Sequence, residues 1–342
     1  MTSFSFNNRI TTLQKTITPG SAVLLADPQH IRYLTGFESL APGEREAFLV
    51  MTNDSATLLY ASFSPVEKQS IIEYVPKCSV AAVLEKIPPI TSLAADLQAL
   101  TATEYQALKK SSLTLSSWNS EALWQQRMRK DKQELALISH AVEITKNVLE
   151  QILATLAVGM TEHDVRRNLD AQLLLAGADG TAFPTIVAFG ENSALPHHQP
   201  TDKKLEKEMA VLIDCGAQVA GYCADMTRTV WFGDTPDPEF VKIDAIVHQA
   251  FGAAQVALKQ EKPTAKSIDT AARQIISEAG YGQQFIHTTG HGLGLSIHEP
   301  PSLSARNEQL IKASMVITIE PGIYLTGKFG VRFEETQISN LQ

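Results

Sequence analysis

Between residues 20 and 120 short apolar runs alternate with segments of helical spacing. SAVLLA (21–26), AFLVMT (47–52) and ATLLYA (56–61) are bounded by polar residues and read as neighbouring strands. VEKQSIIEYV (66–75), SVAAVLEKI (79–87) and, after LAADL (93–97), TATEYQALKKSS (101–112) read as helices. The alternation is that of an α/β domain. It holds no cluster of metal ligands and no nucleophile beside a base. IRYLTGF (31–37) is aromatic and reads as exposed, with a packing role rather than a site.

From Asp131 the pattern changes. Leu135, Ile138, Val142, Leu149, Ile152 and Leu153 recur at helical spacing, and Gly159 ends the run. Thr161, with Asp164 three residues on, predicts an N-cap for a second helix through Leu175 that stops at Gly177. The charged stretch WQQRMRKDK (124–132) is the expected junction, giving domains over 1–125 and 126–342. The second region resembles itself over about 40 residues. In its first half a helix ends at GADG, and FPTIVAFG, ALPHH and EMAVLIDCG follow. In its second half SIDTAARQIISEA ends at GYG, and FIHTTGHG, SIHEPP and SMVITIEPG follow. His197 thus matches His298, Asp214 matches Glu320, and a further acid follows in each half, Asp225 and Glu334.

Composition narrows the partners. Hydrophobic residues make up 44% of 342 and charged residues 19%, as expected for a soluble protein with a real core. The formal net charge of -8, without a long basic run, argues against nucleic acid and anionic membrane. No apolar run is long enough to span a bilayer, and MTSFSFNNRITTLQKT lacks the apolar centre of a secretory signal. Three cysteines without a CxxC pair fit a reducing cytoplasm better than a disulfide framework.

The chemistry lies in the acids and histidines. Asp214 and Glu320 end strongly apolar strands, where an unpaired carboxylate costs several kcal/mol. Asp225 follows Asp214 by 11 residues and Glu334 follows Glu320 by 14, gaps that suit hairpins bringing each pair together. Four carboxylates about 5 Å apart at an effective dielectric near 20 repel by roughly 3 kcal/mol per pair and roughly 20 in all. Two divalent cations cancel that charge. Oxygen ligands with one imidazole suit Mn²⁺, Co²⁺, Fe²⁺ or Zn²⁺, and bridging acids hold two such ions about 3.5 Å apart. In HTTGHGLGLSIHE (287–299) His291 is the candidate nitrogen ligand, its glycines letting backbone approach the site, with His287 and His298 flanking it. The competing reading has Arg228 and Arg332 neutralise the acids as ion pairs. It leaves Asp214, Glu320 and the histidine cluster unexplained. GHGLG as a phosphate turn lacks the GxGxxG spacing and the P-loop lysine.

IVAFGENSALPHHQPTD, LIDCGAQVAGYCADMTRT, GHGLGLSIHE, TIEPGIY and GVRFEET, taken in order, resemble the signature blocks of the aminopeptidase P and prolidase family. The resemblance runs from about residue 130 to the end. It implies an α+β protein whose catalytic domain has the pita-bread fold, preceded by a smaller α/β creatinase-like domain that the first half resembles less sharply. It further implies a dinuclear site. Asp214 would bind one metal through both oxygens, Asp225 and Glu334 would bridge, and His291 and Glu320 would complete the second. Mn²⁺ is the first expectation for the metal. His197, His298, His287 and Arg332 would face substrate, a small peptide with proline second. A hydroxide shared by the metals would attack, Glu320 would shuttle the proton, His298 would donate to the oxyanion and His197 would position the proline side. A homodimer is also implied. The blocks depart from the prolidase pattern at Ser302, where an arginine often meets the dipeptide carboxylate, and Arg306 is displaced by four residues. Peptides longer than dipeptides are therefore expected to be accepted. Two other functions stay open: a non-catalytic binding protein on the same fold, which five retained ligand positions disfavour, and a metal-dependent amidohydrolase of a non-peptide substrate.

Overall fold

The computed structural model describes residues 5–41, 43–87 and 89–340, which divide into two compact units between Arg127 and Met128. In the first, α1 (Phe6–Gln14) leads to β1 (Ser21–Leu25), and α2 (Pro28–Thr35) follows. Asp27 caps α2, Pro28 opens it, and Gly36 ends it with a left-handed φ of 76°. Then come β2 (Ala47–Met51), β3 (Ala56–Tyr60), β4 (Glu73–Val75), α3 (Val80–Lys86), β5 (Ser92–Ala95), α4 (Ala102–Lys109), β6 (Thr114–Ser117) and α5 (Glu121–Met128). The sheet order is β4-β3-β2-β1-β5-β6, parallel from β1 through β5 to β6 and antiparallel from β1 through β2 to β3. Leu24, Phe48, Leu59, Leu93 and Leu108 form its core.

Two expectations fail here. VEKQSIIEYV is not a helix: a turn leads into β4, which pairs in parallel with β3, Thr57 opposite Glu73. Ile72 is buried while Ile71 is exposed, so edge pairing overrides the helix-like spacing. IRYLTGF is not exposed: α2 turns Ile31, Tyr33 and Leu34 inward, and Phe37, just past its Gly36 cap, is buried too.

In the second unit α6 (Lys132–Ala154) and α7 (Glu162–Leu175) begin with capping boxes, Asp131 with Glu134 and Thr161 with Asp164. Ile144, Val148 and Ile152 of α6 pack with Val165, Leu169 and Leu173 of α7 over Val187, Val211 and Ile213. The last three belong to β8 (Ile186–Phe189) and β9 (Met209–Cys215), which follow the short β7 (Gly180–Thr181). After them come β10 (Ala217–Val219), β11 (Tyr222–Cys223) and β12 (Met226–Phe232). The second half is α8 (Pro238–Leu258), α9 (Ala265–Glu278), β13 (Gly290–Gly292), β14 (Glu299–Leu303), β15 (Val316–Ile319), β16 (Gly322–Leu325), β17 (Phe329–Arg332) and β18 (Glu335–Ile338). The strand plan repeats. β12-β9-β8 in the first half corresponds to β18-β15-β13 in the second, and each half interposes a small hairpin, β10–β11 or β16–β17. Among the described residues no helix is long and apolar enough to cross a membrane.

Candidate metal centre

The acids stand where strands leave their ladders. β9 and β12 pair with Thr227 opposite Asp214 and Met226 opposite Cys215, so Asp225 immediately precedes the pairing. β15 and β18 pair with Ile319 opposite Glu335, so Glu320 and Glu334 emerge side by side at one end. Glycine permits this crowding. A Cβ on Gly216 would strike the Ala224 carbonyl, and one on Gly290 the Thr318 carbonyl. The glycines beside His291 let strand approach strand: Gly290 lies against Thr318 and Gly292 against Pro300.

Ligand atoms of Asp225, His291 and Glu334 all lie within 4.8 Å of one another. His291 Nε2 is 3.5 Å from Asp225 Oδ2 and 3.5 Å from Glu320 Oε1. Its Nδ1 is 3.0 Å from the Gly292 carbonyl, which can only accept, so the proton sits on Nδ1 and the Nε2 lone pair faces the acids. Asp214 lines the same cavity but turns Oδ2 to Arg332 Nη2 at 2.6 Å. Arg332 also donates from Nε to Thr227 Oγ1 (3.0 Å) and from Nη1 to the Tyr324 hydroxyl (2.9 Å). Tyr324 donates in turn to His287 Nε2 at 2.8 Å, because His287 Nδ1 gives its proton to the Thr288 carbonyl at 2.7 Å. Thr227 Oγ1 donates to Glu334 Oε2 at 2.7 Å.

The charges do not balance within the protein. Four carboxylates share one buried guanidinium, and Arg228 is committed to Glu335 at 2.7 Å instead of Asp225. Burial first, then the charges of Glu334, Asp214 and Glu320, push Asp225 well above the usual carboxylate range. Burial, with Glu320 and Asp214, does the same to Glu334, and burial raises Glu320. Burial lowers His291 and so favours its neutral, ligating form. Asp214 Oδ1 and Glu334 Oε1 are buried with no hydrogen-bond partner. Unpartnered carboxylate oxygens beside an imidazole lone pair are the donor set of divalent cations, and these residues fit them.

A cavity of about 630 Å³ opens onto the cluster. His197 and His298 are exposed on its wall, and His298 packs edge-on to His291 with ring centroids 4.4 Å apart. Phe183, Pro184, Ile186, Pro196 and Ile297 supply apolar surface.

Residues 136–338 match the model of metallopeptidase family M24, and residues 13–145 match the creatinase/prolidase N-terminal domain. The chain belongs to metallopeptidase family M24. Within it, the chain falls in the aminopeptidase P and prolidase group, with the pita-bread catalytic fold. A Staphylococcus aureus protein described as an uncharacterized peptidase is 34% identical over 322 residues, covering 92% of this chain and 90% of its own. An Xaa-Pro dipeptidase from Bacillus anthracis superposes with a TM-score of 0.90 at 28% identity, covering 98% of this chain and 95% of its own. A prolidase from Pyrococcus furiosus gives 0.86 at 33% identity, with 93% of each chain covered.

Against that M24 frame, three of the five expected ligands, Asp225, His291 and Glu334, are mutually in reach, and Glu320 adjoins them through His291. Asp214 has one oxygen engaged by Arg332 and one unpartnered, rather than two open. Arg332, expected to meet substrate, lines the cavity and is 3% exposed, with hydrogen bonds to Thr227, Tyr324 and Asp214 through which it also organises the acids. His287 lines the cavity with both ring nitrogens engaged. Tyr324 and Thr227, which link these groups, carry no signal in the linear pattern.

Proposed function

We propose that this M24 peptidase hydrolyses the amide between an N-terminal residue and proline, as an Xaa-Pro dipeptidase or aminopeptidase dependent on two divalent ions. The observation that carries the reading is the cluster of Asp225, His291 and Glu334 beside the unpartnered oxygens of Asp214 and Glu334, in a cavity that His197 and His298 line. The names of the similar structures, Xaa-Pro dipeptidase and prolidase, support it.

Asp214, Asp225, His291, Glu320 and Glu334 would hold the ions, with Mn²⁺ first and Co²⁺, Zn²⁺ or Fe²⁺ as alternatives. When bound, such ions lower the pKa of water toward neutrality and polarise a carbonyl. The protein supplies the rest. Glu320, with Oε1 turned to His291, takes the attacking water's proton on Oε2 and passes it to the leaving nitrogen. His298 donates an N–H to the developing oxyanion, and His197 holds the proline side. Proline lacks an N–H and has a fixed φ, so recognition falls to ring packing on Phe183, Pro184 and Ile186. Ser302 lines the cavity and brings no cation for a dipeptide carboxylate, which admits longer peptides. The reading also places the enzyme in the cytoplasm as a homodimer, which light scattering during gel filtration tests.

The test is hydrolysis of Ala-Pro, Ala-Pro-Ala and longer peptides after exhaustive chelation and reloading with each metal. Chelation abolishes turnover and Mn²⁺ restores it. Full activity without metal, or no cleavage with any of the four ions, overturns the proposal.

A further inference from the structure

We propose that Glu162 is the positioning residue for His197, acting through the chain between β8 and β9. The inference rests on the reading that His197 faces substrate. Glu162 is the first residue of α7, a place where an acid ordinarily points to solvent, yet it is 0% exposed. The helix does not need it as a cap, since Thr161 and Asp164 form the capping box. Its carboxylate is turned inward and filled. Oε1 accepts from the Phe189 N–H at 2.7 Å and from Asn192 Nδ2 at 2.8 Å. Oε2 accepts from Thr201 N–H at 2.8 Å and Thr201 Oγ1 at 2.7 Å, and lies 2.8 Å from His198 Nε2.

These five partners sit at the two ends of one segment, 189–192 and 198–201. One carboxylate therefore closes the segment into a loop, and what lies between is held by its ends. Consecutive histidines then face opposite ways: His198 is buried against Glu162, and His197 is exposed on the cavity wall beside Pro196 and Gln199. A second tether, Ser193 Oγ accepting from the Gly330 N–H at 2.8 Å, fixes the loop's early part independently. Loss of Glu162 should thus free His197 without unfolding the unit. The amide of Glu162→Gln offers one acceptor oxygen and an NH2 with two donors to a set of donors, so it cannot replace the carboxylate.

Two measurements test this. The first is hydrogen–deuterium exchange of wild type and Glu162→Gln, followed separately in residues 189–201 and 285–292. The second is a double-mutant cycle with His197→Ala, reading kcat and KM for Ala-Pro-Ala in Mn²⁺-loaded protein. Exchange should quicken in 189–201 alone. Glu162→Gln should lower kcat/KM by about 10- to 100-fold at unchanged Mn²⁺ content, as expected for a displaced positioning group. In the His197→Ala background that loss should shrink to about twofold or less. Unchanged exchange in 189–201, or an equal loss in both backgrounds, overturns the proposal. Thr201→Val, which removes one of the five donors, gives the same signature at smaller size and decides the matter if Glu162→Gln does not fold. If wild type cleaves no Xaa-Pro peptide, the proposed activity has failed, and the exchange experiment alone decides the role of Glu162.

Discussion

In the first half of the M24 unit a buried acid at the start of α7 ties down the loop carrying His197; in the second half, a buried acid within α9 ties down the segment carrying His291. Glu162 is surrounded by hydrogen-bond donors, with no lysine or arginine among them. Asp269, also 0% exposed, is paired with Arg273 at 3.0 and 2.9 Å and accepts from Thr289 N–H and Oγ1 at 3.2 and 2.8 Å. Arg273 extends the clamp to the carbonyls of Phe285 and His287 at 3.1 and 2.8 Å. The second half thus locks backbone on both sides of His287 and up to two residues before His291, while the first closes a loop and leaves its exposed histidine between the ties. A repeated strand plan thus carries two kinds of anchor: the rigid, arginine-clamped half supplies His291, Glu320 and Glu334, and the half with the loop tie supplies Asp214, Asp225 and the gripping His197.

The largest effect should come from the rigid half. Glu320→Gln removes the proton carrier, and kcat should fall by about 10³-fold, within the span of general acid–base catalysis. Steady-state hydrolysis at saturating Mn²⁺ checks it, and a near-normal kcat contradicts the shuttle. The paired histidines come next. His298→Ala should lower kcat by about 10²-fold, the loss expected for one oxyanion donor, whereas His197→Ala should act chiefly on KM. Were both to change only KM, the division between chemistry and grip would disappear.

The anchors themselves separate the halves by affinity. Asp269→Asn breaks the Arg273 pair and loosens the support of His291, so Mn²⁺ binding should weaken by about 10- to 100-fold, as when outer hydrogen bonds to ligands are lost. Glu162→Gln should leave it within about twofold, because its loop carries none of the expected ligands. Equilibrium dialysis compares the two, and equal losses would merge the halves into one structural network.

Much of this was legible in the chain. Asp214 and Glu320 stood out because a carboxylate ends an apolar strand, and Asp225 and Glu334 because each follows at a hairpin-length gap, 11 and 14 residues. The α7 boundaries followed from a capping pair whose geometry is local, whereas α6 stops at Ala154, five residues before the Gly159 that the sequence marks as its end. What stayed hidden depends on direction rather than spacing. An acid at the first position of a helix is ordinary, and nothing in MTEHDV says that Glu162 points inward. The stripe along α6 likewise includes Glu134 and Thr145, polar residues buried because Tyr222 and the Ala217 N–H come to them from elsewhere in the chain. Arg332 was visible as a charge, but its three partners are set by where β9, β12 and β16 meet. β4 was missed because its pairing with β3 is a tertiary fact.

The smallest effect concerns acid stability and sharpens the contrast from the gripping side. Burial alone would raise the Glu162 carboxyl, but hydrogen bonds from His198, Thr201, Asn192 and the Phe189 N–H outweigh it and hold it below the usual range. A folded-state pKa below the unfolded value of about 4.3 means that the ionised carboxylate stabilises the fold above that pH. The contribution drains away as pH falls through the lower, folded value. Glu162→Gln has no such proton to take up. Wild type should therefore exceed the variant by about 2 kcal/mol near neutrality, the scale of hydrogen bonds to a charged group, and the gap should close in acid. Urea unfolding of both proteins from pH 7 to pH 3, in chelator so that metal loss is common to both, gives the difference directly. A gap that stays constant over that range would mean that the loop is held by the shape of the side chain and not by its charge, and the first half would then differ from the arginine-clamped second half in geometry alone.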